Sequence, residues 1–209
     1  MPKLYYLDAN AIIKYSFYQE YLARHSQQED GVEMVRSLIQ SGEGIFYCSN
    51  FALLECWHTL LKKYRDNQKC KIFGETLADQ QRNIELILKK LRRALKDSEL
   101  HLETTPLTAH VLVVAQKLTY KYGIQKQKID SLDAVHLALV CELSDKNRQP
   151  VTLVTSDEAM IAICEIENIA VFNPVSETSK FWAIGKIVFD KSIKPKPTTP
   201  TPAQTTNAG

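Results

Sequence analysis

The 209-residue chain has no C-x-x-C pair, and its cysteines, Cys48, Cys56, Cys70, Cys141 and Cys164, are odd in number. A disulfide framework needs paired cysteines and a structural zinc site needs clustered ones, so these read as buried or incidental thiols in a reducing compartment. No apolar run approaches the roughly 18 residues of a membrane span, and the first residues lack the basic, apolar, small-residue succession of a signal peptide. A cytoplasmic protein is expected. The absence of a P-loop, of G-x-G-x-x-G and of a Ser-His-Asp order removes the main nucleotide-cofactor and covalent-nucleophile classes. There is no internal repeat and no RNA-recognition motif with stacking aromatics, and Tyr5 and Tyr6 read as core. The net charge of +2 is too small to mark a nucleic-acid binder unless its distribution does so.

What remains is an ordinary globular composition, 44% hydrophobic and 24% charged, in a length that suits one domain. Leu4 to Leu7 is a short apolar run that reads as a buried strand. A helical stretch follows, broken near Ser26 to Gly31 and resumed through Val32, Val35, Leu38 and Ile39 until Gly42 and Gly44 stop it. Ile45 to Cys48 is a second strand, and Ser49 or Asn50 caps a helix with Leu54, Trp57 and Leu61 on its apolar face. Ile84, Ile87, Leu88, Leu91 and Leu95 mark another helix, and the two are expected to pair as a helical arm over about residues 56–97.

Leu100 and Leu102 mark a weaker third strand, and Pro106 suits the first turn of a helix through Val111, Val114 and Leu118. Asp130 opens the next helix, Val151 to Val154 is the clearest strand, and a short helix around Ala159 to Ile166 leads to a last strand, Ile169 to Phe172. This alternation predicts an α/β fold: a three-layer α/β/α sandwich around a central, mainly parallel sheet of four to five strands, with the helical arm attached. The domain is expected over residues 1–189. The Pro/Thr-rich segment 190–209 has little to bury and reads as a disordered tail, either a tether or a neutral appendage.

Four acids fall at equivalent places in this alternation. Asp8 and Asp157 sit just past strands, while Glu55 and Asp133 sit within two turns of helix starts, so all four belong to the carboxyl edge of the sheet. Singly, each has an ordinary reading: Asp8 or Asp157 as a helix cap, Asp133 as a first-turn residue behind an Asp130 cap, Glu55 as a solvent-facing acid. Together they repel one another unless cations neutralise them. Oxygen donors without Cys or His clusters suit the hard cations Mg²⁺ and Mn²⁺. Such an ion polarises a phosphoryl oxygen, activates water and stabilises a leaving oxygen, which is what phosphodiester hydrolysis needs.

At Leu7-Asp8-Ala9-Asn10, at Glu55 after a serine-containing helix start, at Asp133-Ala134-Val135-His136-Leu137-Ala138 and at Val154-Thr155-Ser156-Asp157, the chain resembles the PIN-domain ribonucleases. It is most similar to the VapC-type toxins of toxin-antitoxin pairs, over roughly residues 3–173. The resemblance implies that Asp8, Glu55, Asp133 and Asp157 are catalytic and hold one or two Mg²⁺ or Mn²⁺ ions, with metal-bound water attacking an RNA phosphodiester. It also implies that Asn10 steadies Asp8, that Ser156 acts likewise beside Asp157, and that the partners are a small antitoxin and a second copy in a homodimer. Asp130 reads as a ligand or as the helix cap, and His136 as a general base or as a hydrogen-bonded core histidine.

Lys62, Lys63, Arg65, Lys89, Lys90, Arg92 and Arg93 form either an RNA-binding phosphate track beside the acids or an ordinary solvated face. The rival to a ribonuclease is a catalytically silent PIN-like binding or assembly module. A phosphatase with an aspartate nucleophile fits poorly, because Asn10 stands where a second aspartate would be needed.

Overall fold

The computed structural model describes residues 2–22, 31–65, 76–96, 102–125 and 129–176. In chain order the elements are β1 (Lys3–Leu7), α1 (Ala9–Leu22), α2 (Val32–Gln40), β2 (Gly44–Ser49), α3 (Asn50–Arg65) and α4 (Leu77–Lys96). They continue with β3 (Leu102–Thr105), α5 (Ala109–Ile124), α6 (Ser131–Asn147), β4 (Val151–Val154), α7 (Glu158–Glu167) and β5 (Val171–Phe172). The strands form one sheet in the order β3-β2-β1-β4-β5, and every pairing is parallel.

The side-chain alternation of the strands divides the core in two. Tyr5 and Leu7 of β1, with Phe46 and Cys48 of β2, pack against Ala11, Ile12, Val35, Ala52, Cys56 and Ile84 from α1 to α4. Leu4, Tyr6, Tyr47 and Leu153 point the other way, onto α5, α6 and α7. Helices therefore cover both faces, and the expected three-layer α/β/α sandwich is what forms. The α3 and α4 helices of the expected arm pack on each other. Among the described residues no helix is long and apolar enough to cross a membrane.

Helix and strand ends follow local chemistry that periodicity does not capture. α2 starts after Gly31, whose φ of 85° favours glycine, and a Cβ there would lie 3.1 Å from Pro174. Pro106 does not occupy the first turn of α5. Thr108 caps that helix instead, its hydroxyl accepting from Val111 N at 3.2 Å, so helix geometry begins only at Ala109. The last strand is shorter than expected because Asn168, at φ 56°, ends α7, and Ile169 N is still bonded to Cys164 O. Ser26, Cys70, Leu100 and the segment 190–209 lie outside the described residues.

The remaining cysteines are unpaired, as expected. Cys48, Cys56 and Cys164 are buried, and burial pushes the Cys48 and Cys164 thiols up to about 12. Their reactivity is suppressed accordingly.

Candidate active site at the carboxyl edge

The order β3-β2-β1-β4-β5 places the topological switch point between β1 and β4, where the chain departs in opposite directions. Asp8 leaves β1 there and Asp157 follows β4. Asp8 N donates to Val154 O at 3.3 Å, tying Asp8 to the end of β4. Asp8 is only 2% exposed, and its Oδ1 accepts from Ala11 N at 2.6 Å. Asp157 Oδ1 accepts from Met160 N at 2.9 Å. Both acids are thus helix caps as well as neighbours, and each cap commits a single carboxylate oxygen.

Thr155 joins them. Its buried hydroxyl bonds to the Asp8 carboxylate and accepts from Asp157 N at 3.0 Å. The supporting roles expected of Asn10 and Ser156 are filled otherwise. Asn10 is exposed on α1, and Asp8 is steadied by Ala11 N and Thr155. The Ser156 Oγ is buried without a hydrogen-bond partner, so Thr155 holds the Asp157 turn.

Glu55 does not face solvent. Ser49 Oγ accepts from Ala52 N at 2.9 Å and so caps α3, which brings Glu55 round to His136 on α6. Glu55 Oε2 lies 2.5 Å from His136 Nε2, His136 Nδ1 lies 2.9 Å from the Tyr6 hydroxyl, and that hydroxyl lies 2.9 Å from Ser49 Oγ. His136 is the hydrogen-bonded core histidine, 2% exposed, with the Phe51 ring tilted at 5.7 Å. Tyr6 is core as expected, but a buried phenol needs a partner, and its strand parity was the signal that it faces α6.

Asp130 is the cap of α6. Its Oδ1 accepts from Leu132 N at 2.8 Å and Asp133 N at 2.9 Å, and Asp133 Oδ2 accepts from Asp130 N at 3.4 Å to complete a capping box. Of the basic residues, Lys62, Lys89 and Arg93 are exposed on α3 and α4. The side chains of Lys63, Arg65, Lys90 and Arg92 lie outside the described residues.

Electrostatics link the four acids. Burial holds the Asp8 carboxyl above the ordinary carboxylate range; Thr155, Ala11 N and His136 oppose this, and Glu55 adds to it. Asp133 is raised to about 6, first by burial and then by the charge of Asp130, with Asp157 adding and His136 opposing. His136 therefore acts on Asp8 and Asp133 and is bonded to Glu55.

The donor chemistry fits a hard divalent ion: oxygen ligands only, two carboxyls raised by burial and like charge, and an orphaned Ser156 hydroxyl in the β4–α7 turn. The arrangement is not closed around one. Among the described residues no three His, Cys, Asp or Glu side chains are disposed to hold an ion, and each of the four acids has an oxygen bonded within the protein.

Among solved structures, FitAB bound to an IR36 DNA fragment is similar, with a TM-score of 0.53 at 16% identity, covering 82% of this chain and 95% of that one. FitAcB from Neisseria gonorrhoeae matches at TM-score 0.49 and 17% identity, over 82% of this chain and 98% of that one. VapBC2 from Rickettsia felis, bound to a DNA fragment from its promoter, matches at TM-score 0.47 and 15% identity, over 81% and 98%. No curated protein matches in sequence. The family profile of the PIN domain matches residues 5–166, from β1 into α7. With that match over most of its length, the chain belongs to the PIN domain family.

Proposed function

We propose that the chain is a metal-dependent endoribonuclease that hydrolyses RNA phosphodiester bonds, acting in the cytoplasm as the toxin of a toxin-antitoxin pair. PIN domains are generally nucleases, and those nucleases generally use divalent metals. One observation carries the reading: Asp8 and Asp133 are both raised by burial and by neighbouring acids at the switch point of a parallel sheet. Such a group gains stability when a cation binds, and its oxygen donors suit Mg²⁺ or Mn²⁺ held by Asp8, Glu55, Asp133 and Asp157.

When bound, one or two such ions supply an activated water and stabilise the leaving oxygen. The rest falls to the chain's own groups. Thr155 fixes Asp8 against the turn that carries Asp157, and the Asp130 capping box orients Asp133. Exposed Lys62, Lys89 and Arg93, with Lys63, Arg65, Lys90 and Arg92, would draw the RNA backbone towards the acids by phosphate contacts. An antitoxin partner and a homodimer are carried by the resemblance to VapC-type toxins.

A catalytically silent PIN-like module is favoured by one fact, that no three ligating side chains among the described residues are disposed around an ion. Cleavage of single-stranded RNA with Mg²⁺ or Mn²⁺, using the wild type, Asp8→Asn and Asp133→Asn, separates the two. The wild type is expected to cleave, and each variant to lose about 100-fold or more, since losing a ligand costs no less than losing an outer-shell partner. A folded wild type that cleaves nothing, or cleavage that survives both substitutions, contradicts the proposal. Single-stranded DNA in parallel tests the preference for RNA.

A further inference from the structure

We propose that His136 and Tyr6 are positioning residues for Glu55, an inference that rests on the reading of Glu55 as part of the ion site. Glu55 Oε2, His136 Nε2 and Nδ1, the Tyr6 hydroxyl and Ser49 Oγ form a continuous chain with steps of 2.5, 2.9 and 2.9 Å. Ser49 Oγ also accepts from Ala52 N at the start of α3, the helix that carries Glu55. The contacts therefore close a loop through β1, β2, α3 and α6. Tyr6 and Ser49 are fully buried and His136 is 2% exposed, while the Glu55 side chain keeps 21% exposure.

The proton positions give this loop a direction. An ionised carboxylate can only accept, so the Glu55 contact requires a proton on Nε2. Two arrangements satisfy the remaining atoms. In one, a neutral imidazole accepts at Nδ1 from Tyr6, and Ser49 donates to Tyr6. In the other, an imidazolium donates from both nitrogens, and Tyr6 donates to Ser49. Both deliver Nε2–H to Glu55.

A buried histidine needs partners for its own sake, yet a backbone carbonyl would satisfy it equally well. Here the acceptor is a flexible side chain whose charge is felt by Asp8, and the ring that holds it is locked from behind. Left alone, Glu55 would sample several rotamers. The relay selects one during folding, so that ordering cost does not fall on ion binding.

Mn²⁺ binding to the full-length wild type, Tyr6→Phe, His136→Leu and His136→Gln, measured by calorimetry on chains shown by circular dichroism to be folded, tests this. Tyr6→Phe and His136→Leu are expected to bind roughly 10- to 100-fold more weakly, as for other outer-shell losses. His136→Gln, whose amide N–H can replace Nε2–H, is expected to recover part of the affinity. Equal affinity in the wild type and His136→Leu overturns the relay alone. Wild-type Mn²⁺ binding that is absent, or indifferent to Asp8→Asn, overturns the ion-site reading beneath it. Without metal, ¹⁵N NMR is expected to show a proton on His136 Nε2 whose resonance moves in Glu55→Gln; an unprotonated Nε2 at neutral pH contradicts the relay.

Discussion

The Asp8 carboxylate caps α1 through Ala11 N while burial holds its pKa above the ordinary range. The cap stabilises the fold and the buried charge opposes it. Asparagine keeps an oxygen for the cap and removes the charge. Metal-free Asp8→Asn is therefore expected to melt at or above the wild-type temperature while cleavage collapses; a clear drop in melting temperature would show that the charge itself supports the fold. At this scale the sequence revealed the acids, because a strand end or helix start can be read locally. It did not reveal Thr155 as the link between Asp8 and Asp157. Nor did it reveal the bond from Glu55 to His136, which spans 81 positions and exists only after α3 and α6 have packed.

Single elements set the acids' angles through their caps. Asp130 holds the start of α6 through Leu132 N and Asp133 N, and after burial its charge is the largest influence raising Asp133 to about 6. Asp130→Ala is expected to cost about 1 kcal/mol in chemical denaturation, as cap losses do. Asp130→Asn keeps the cap and should leave stability nearly unchanged while lowering the Asp133 pKa, which NMR titration reads. An Asp133 pKa unmoved by Asp130→Asn would contradict the coupling. Asp130 was legible as a cap because Asp is favoured before an apolar run. Pro106 misled because the cap of α5 is Thr108, two residues further on, whose hydroxyl accepts from Val111 N and leaves Pro106 outside the helix.

Across the whole molecule, the alternation of strands and helices was enough to reveal a parallel sheet between two helical layers. The strand order was not legible, since the pairing of β1 with β4 joins segments far apart in the chain. That pairing creates the switch point at which Asp8 meets the Asp157 turn. The resulting charge cluster has a consequence for the entire fold. Burial and like charge hold Asp133 up at about 6, above the ordinary aspartate value of 3.8, and Asp8 is also raised. The folded chain thus binds more protons in that window, and the stability contributed is full below about 3.8 and falls as pH rises through about 6. A divalent ion competes for the same oxygens, so it should restore stability only where those protons have left. Thermal unfolding with and without Mn²⁺, at about pH 5 and about pH 8, reads this competition directly. A Mn²⁺-induced rise in melting temperature is expected at the higher pH, shrinking at the lower and lost in Asp133→Asn. No rise at the higher pH, or an equal rise in Asp133→Asn, would contradict it.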